Sequence, residues 1–213
     1  MDATEAIPGG PRPAATVIVA RPSLGGPEVL VMRRGSKSRF LPGYVVFPGG
    51  AVEPQDVGLA ERWFGDPREV SRACAVRELI EEVGLAITGE GLRGDADSNR
   101  AALSSVGRAP PRPEALPQVS RWIAPEEVPV RFDARFFAVE SPPGLEARVD
   151  GAEAAHAWWA RPADVLTDLA AGRCELYWPT YKVMQALARC ATVAELLALD
   201  VPQIEDDDEG VDA

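Results

Sequence analysis

An α+β fold, with helices packed on a mixed sheet, is what the 213-residue sequence predicts. Three observations carry that expectation. Short strand-like runs fill the first fifty residues, one strong helix signal sits mid-chain, and helical segments close the chain without regular strand–helix alternation or internal repeat. Residues 15–20 (ATVIVA), apolar and rich in β-branched side chains, are expected to be a buried strand. Gly25-Gly26-Pro27 makes a turn, and residues 28–32 (EVLVM) return as a second strand. A third, residues 44–47 (YVVF), stops at Pro48-Gly49-Gly50. The helix signal follows: Asp66 as N-cap, Pro67 at the first helical position and Glu69 completing a capping box. That helix runs to Val83, and Gly84 supplies the left-handed residue that ends it.

Residues 86–118 are polar and rich in Gly, Pro and Ala, and are expected to form a surface excursion with little core. Phe132, Ala134 and Phe136 alternate as in a half-buried strand over residues 131–140, and residues 156–160 (HAWWA) give another. Helices are expected over 162–171, 180–191 and 193–199. The domain organisation that follows is a flexible leader over 1–13, one domain over 14–200 and a disordered acidic tail over 201–213.

Composition bounds the partners. Hydrophobic residues at 46% and charged residues at 26% describe an ordinary soluble globular protein. No apolar run approaches the roughly 18 residues of a membrane span, and the N-terminus lacks the basic start and apolar stretch of a signal peptide. A net charge of −11 argues against nucleic acid as the partner, and part of that charge is the local run EDDDE at 205–209. Cys74, Cys174 and Cys190 are far apart, odd in number and not at metal-ligand spacing, and read as reduced thiols of a cytoplasmic protein.

The chemistry is concentrated in RELIEEVGL, residues 77–85. Glu78 and Glu82 are four apart and share a helix face, Glu81 is three from Glu78, and Val76, Leu79, Ile80 and Val83 bury the opposite side. Like charges at this spacing cost about a few tenths of a kcal/mol per pair. Read as charge pattern alone, such a cluster is most often a solvated face. Read as a ligand set, its hard oxygens suit Mg²⁺ or Mn²⁺, which bridge carboxylates to phosphate oxygens and help activate water.

The company these residues keep resembles the Nudix hydrolase signature. That signature runs Gly, five residues, Glu, seven residues, then Arg-Glu-U-x-Glu-Glu-x-Gly-U, with U a bulky apolar residue. Glu69, seven residues and then Arg77 to Leu85 match every fixed position of the second half. Counted from Gly50, however, the glutamate position is filled by Asp56, 13 residues before Glu69. Residues 57–68 therefore read as an insertion, with Trp63 and Phe64 anchoring a surface loop, and either Asp56 or Glu69 takes the family glutamate's part. The resemblance implies an α/β/α sandwich around a mixed sheet with extra C-terminal helices, and hydrolysis of a diphosphate linkage in a nucleoside diphosphate derivative. It also implies Glu78, Glu81 and Glu82 with the Gly50 carbonyl as metal ligands, and Arg77 as the group that orients the carboxylates. A homodimer is expected by analogy with the family. The general base varies in this family, and Glu153 is the candidate here; His156 reads as a strand residue.

A second resemblance concerns the substrate. Leu30-Val31-Met32-Arg33-Arg34-Gly35, Arg39, Gly43 and Phe47-Pro48-Gly49-Gly50 are spaced as in the coenzyme A diphosphatase branch of that family. Met32, Gly35 and Ala51 depart from its pattern. The resemblance implies coenzyme A or an acyl-coenzyme A as substrate, with Arg34, Arg39, Gly49 and Gly50 in contact with it. ADP-ribose, NADH and dinucleoside polyphosphates are the alternative substrates, and a non-catalytic nucleotide-binding module is the alternative class.

Overall fold

The computed structural model describes residues 10–35, 41–94, 99–128, 130–149 and 154–203. Strand β1 (Arg12–Arg21) is the axis of a seven-stranded mixed sheet. It runs parallel to β8 (Phe132–Glu140) from Arg12↔Phe132 to Ala20↔Glu140. Its far end pairs antiparallel with β2 (Glu28–Arg34), and its near end with β4 (Gly49–Ala51). β2 also pairs with β3 (Val45–Val46) and β9 (Ala154–Ala160), while β8 carries β7 (Gln118–Ile123) on its other edge.

Both faces of the sheet are covered. Ala15, Val17 and Val19 point into one core with Leu79, Ile80 and Val83, whereas Ile18 and Ala20 point into another with Val183, Met184 and Leu187. This explains why β1 is apolar without alternation, and why Phe136 to Val139 are all buried where a half-buried strand was expected. The first core is roofed by α1 (Pro54–Phe64), α2 (Val70–Val83) and α3 (Asn99–Arg108). The other face carries α4 (Pro162–Ala170), α5 (Trp178–Leu187) and α6 (Val193–Leu197). The result is the expected helix–sheet–helix sandwich.

Three expectations are corrected. Residues 57–68 are not a surface loop: α1 packs on α2, with Ala60 and Trp63 buried in the first core. Residues 86–118 contribute the hairpin of β5 (Leu85–Thr88) and β6 (Gly91–Gly94) as well as α3, and bury Ile87, Leu92, Val106 and Leu116. The acidic tail also begins later than 201. The Val201 N–H donates to the Val119 carbonyl (2.8 Å), the Ser120 hydroxyl to the Val201 carbonyl (2.7 Å), and Gln203 bonds both backbone groups of Ile123. Residues 1–9 of the leader and 204–213 of the tail lie outside the described residues.

Candidate active site

Helix α2 carries the centre of the site, and its two ends explain its placement. Asp66 accepts from the Arg68 N–H (2.9 Å) and starts a 3-10 turn over Pro67–Glu69 that leads into α2. At the other end Gly84 has φ +68°, and its N–H bonds the Ile80 carbonyl (3.0 Å). With Val76, Leu79, Ile80 and Val83 locked in the core, the acidic side chains are held to the opposite face. That face is only partly solvated: Glu82 is 3% exposed, whereas the Glu81 side chain is 42% exposed.

Arg77 organises the cluster from below. Its guanidinium is buried and makes a two-pronged pair with Asp56: Nε to Oδ1 at 2.7 Å and Nη2 to Oδ2 at 3.0 Å. Nη1 donates to both Glu78 Oε1 and Glu81 Oε2 at 2.8 Å, and Nη2 reaches the Ala51 carbonyl at 3.2 Å. Burial by itself would lower the Arg77 pKa. The hydrogen bonds to Asp56 and the charges of Glu78 and Asp56 overcome that and raise it, so Arg77 stays cationic. Asp56 is fully buried and fixed in turn by the Glu53 N–H at 2.8 Å, in the capping box that opens α1. Of the two candidates, Asp56 is the carboxylate that meets Arg77. Glu69 pairs with Arg72 instead.

Strand β4 closes the cluster from above. The Gly49 N–H donates to Glu82 Oε2 at 2.8 Å. A Cβ at Gly50 would lie 2.4 Å from Glu78 Oε1, and one at Gly49 would lie 2.4 Å from the Ala15 carbonyl oxygen. Both glycines are required by close approach, Gly50 to the Glu78 carboxylate and Gly49 to β1. Cys74 sits beneath, its thiol 3.7 Å from the Gly50 carbonyl and 3.6 Å from Arg77 Nη2. Burial first, and then the charge of Asp56, pushes the Cys74 thiol well above its ordinary range, so it is a neutral packing group.

The donor set fits a hard divalent cation. Three carboxylates lie on adjacent turns of one helix, and Gly50 of β4 packs against one of them, Glu78. Among the described residues, no three acidic, imidazole or thiol groups already converge into a ready metal cage. Glu78 and Glu81 are turned to Arg77, and Glu82 to the Gly49 amide. Glu78, Glu81 and Glu82 would hold the ion by turning from these partners.

Glu78, Gly49, Gly50 and Arg34 line a cleft of about 1520 Å³. Its other walls come from β7 and β8 (Trp122, Phe132, Phe136) and from the start of α5 (Tyr177, Trp178, Thr180). None of these wall residues was legible as part of a site, because β8 and α5 reach the glutamates only through the sheet pairing. The aromatic pair before Pro179 was the signal available. Arg39 and Glu153 lie outside the described residues. His156 is a strand residue, its ring stacked on Trp158 at 5.3 Å between centroids.

Comparison with known proteins agrees with this geometry. Residues 10–177 match the model of the NUDIX domain. A crystal structure of a NUDIX hydrolase from Alicyclobacillus acidocaldarius superposes with a TM-score of 0.77 at 33% identity, covering 90% of this chain and 97% of that one. "Putative nudix hydrolase 7" of Caenorhabditis elegans is 28% identical over 78% of this chain and 56% of its own length. The acyl-coenzyme A diphosphatase NUDT19 of Xenopus laevis is 26% identical over 79% of this chain and 62% of its own length. The chain thus spans about six tenths of these two relatives.

Proposed function

Since the chain belongs to the Nudix family, we propose that it hydrolyses a diphosphate linkage in a nucleoside diphosphate derivative, with coenzyme A or an acyl-coenzyme A as the substrate. The observation that carries the reaction is the Arg77–Asp56 pair holding Glu78 and Glu81, with Glu78 lining the cleft beside Gly49 and Gly50. Water adds its oxygen to one phosphorus, the bridging P–O bond breaks, and both products leave as phosphomonoesters. Family members generally use divalent metal ions, and Mg²⁺ or Mn²⁺ is the ion proposed here. When bound, it supplies charge neutralisation on the diphosphate and a more acidic water. Arg77 keeps the ligand carboxylates in register, Gly49 and Gly50 let β4 approach them, and Arg34 faces the diphosphate from β2. Coenzyme A is favoured by the spacing of Arg34, Gly43 and the FPGG turn, and by the likeness to the Xenopus laevis diphosphatase.

Free thiols at Cys74, Cys174 and Cys190 support a cytoplasmic location. Among the described residues, no helix is long and apolar enough to cross a membrane. The test is a panel of coenzyme A, acetyl- and long-chain acyl-coenzyme A, ADP-ribose, NADH and a dinucleoside tetraphosphate. Each is incubated with Mg²⁺ or Mn²⁺, and the products are identified by mass spectrometry. Cleavage of the coenzyme A diphosphate is expected. Brisk ADP-ribose cleavage without it would move the substrate and keep the reaction, whereas no cleavage of any member would overturn both.

A further inference from the structure

We propose that the N-terminal end of α5 is a second anion subsite of the cleft, taking a phosphomonoester of the substrate separate from the diphosphate that is cleaved. The substrate part of this rests on the hydrolase reading above. Helix α5 has ten residues and begins in the cleft wall, where Trp178, Pro179 and Thr180 all line the cavity. Its N-cap, Tyr177, supplies no side-chain cap, and Pro179 has no N–H to satisfy. The first amide engaged is that of Tyr181, which donates to the Tyr177 carbonyl at 2.9 Å. The amides of Trp178 and Thr180 have no acceptor among the described residues. A helix start left open in this way carries both free donors and the positive end of the dipole.

Thr180 gives the independent observation. The residue is only 7% exposed, yet its hydroxyl has no hydrogen-bond partner among the described residues. Nearly buried hydroxyls are ordinarily paired. This one is not sealed in apolar surroundings either; the fully enclosed, unpaired side-chain polar atom among the described residues is Trp159 Nε1. What remains open to Thr180 is the cleft it lines. One hydroxyl and two amide donors match the three terminal oxygens of a phosphomonoester. Glu78 lines the same cleft from α2 and Thr180 from α5, so different elements supply the two positions.

The experiment compares coenzyme A with 3′-dephospho-coenzyme A, which differ only in that phosphomonoester, for wild type, Thr180→Val and Thr180→Ser. The wild type is expected to show a KM about tenfold lower for coenzyme A. Thr180→Val should collapse that ratio towards one, and Thr180→Ser should restore it. Thr180→Ala replaces the valine variant if the latter does not fold. A wild type indifferent to the phosphomonoester, or a valine variant with the full preference, overturns the proposal. Calorimetry without metal, using adenosine 3′,5′-bisphosphate and inorganic phosphate, reads the subsite apart from turnover. Bisphosphate binding at least about fivefold weaker in Thr180→Val is expected. The same loss in a wild type that cleaves nothing would uphold the subsite and sink the hydrolase reading. A Thr180-dependent site for inorganic phosphate, with an unchanged substrate ratio, would mean a free-phosphate site and overturn the substrate claim.

Discussion

Asp56 and Glu69 show how a good pattern can leave two candidates for one position. The helix register points to Glu69, but the carboxylate that meets Arg77 is Asp56, delivered through the capping box of α1. Only the fold could decide between them, since the choice depends on α1 packing against α2. The energetic contrast is large. Replacing Asp56 with Asn leaves the buried Arg77 charge short of its two-pronged partner, and a loss of about 3 kcal/mol is expected, the low end for a broken buried pair because Glu78 and Glu81 remain. Glu69→Gln loosens a more exposed pair and should cost less than about 1 kcal/mol. Urea unfolding of both variants checks this, and equal losses would return the role to Glu69. Cys74 makes a second prediction. Its folded-state pKa is raised by burial and by Asp56, so the folded protein keeps a proton that the unfolded chain releases. The stability tied to it is complete below the ordinary value of 9.0 and is lost as pH rises beyond that. Above pH 9 the wild type should lose stability relative to Cys74→Ala by about 1.4 kcal/mol per pH unit. Denaturant midpoints at pH 8, 9.5 and 10 measure it, and parallel curves would refute it.

At the scale of elements, the capping box expected of Asp66 and Glu69 gives way to a 3-10 turn, with Glu69 paired to Arg72. Helix α2 was nonetheless legible from its periodicity and Gly84 stop, as strands β1, β2 and β8 were from their pattern. Strand β4 was not, since Gly-Gly reads as a stop; it becomes a strand only because β1 offers it backbone partners at Ala14, Ala15 and Thr16. Its two glycines should fail differently when changed to alanine. At Gly49 the added Cβ meets the backbone of β1, which cannot move aside, so Gly49→Ala should lower the melting temperature markedly. At Gly50 it meets the end of the Glu78 side chain, which can, so Gly50→Ala should fold and lose most turnover. Thermal melts beside initial rates separate the two; matching profiles would show that β4 has one role only. Helix α1 was hidden because it interrupts a recognisable motif and therefore resembles an insertion. Its Trp63 is 3% exposed in the core of α2, so Trp63→Ala should cost about 3–5 kcal/mol, as for other buried aromatics. A loss under about 1 kcal/mol would mean that the segment is dispensable.

The whole molecule supplies what neither residue nor element contains, which is a cleft lined by Glu78 of the acidic cluster and by aromatic walls from distant parts of the chain. The parallel pairing of β1 with β8 brings Phe132 and Phe136 into the cavity, and α5 returns across the same face. Adjacency of that kind leaves no local trace in sequence, whereas the glutamates, spaced on one helix, were visible from their numbering. The acidic cluster also stores a tension that a cation would relieve. Glu78, Glu81 and Glu82 share one face, and Arg77 supplies a single positive charge between the first two. A divalent ion held by the folded arrangement, and not by the unfolded chain, stabilises the fold by mass action, about 2.7 kcal/mol at a hundred times its Kd. For a chain of this size that is roughly 5–10 °C in melting temperature. Saturating Mg²⁺ or Mn²⁺ should therefore raise the wild-type melting temperature, and EDTA should reverse the shift. Glu82→Gln keeps the size of the side chain and an acceptor for the Gly49 N–H. It should retain the fold, lose most of the metal-induced shift and lose about a hundredfold or more in turnover. Because the melt is read without substrate, it tests the ligand assignment apart from catalysis. A full shift in Glu82→Gln, or none in the wild type, would move the ion away from α2.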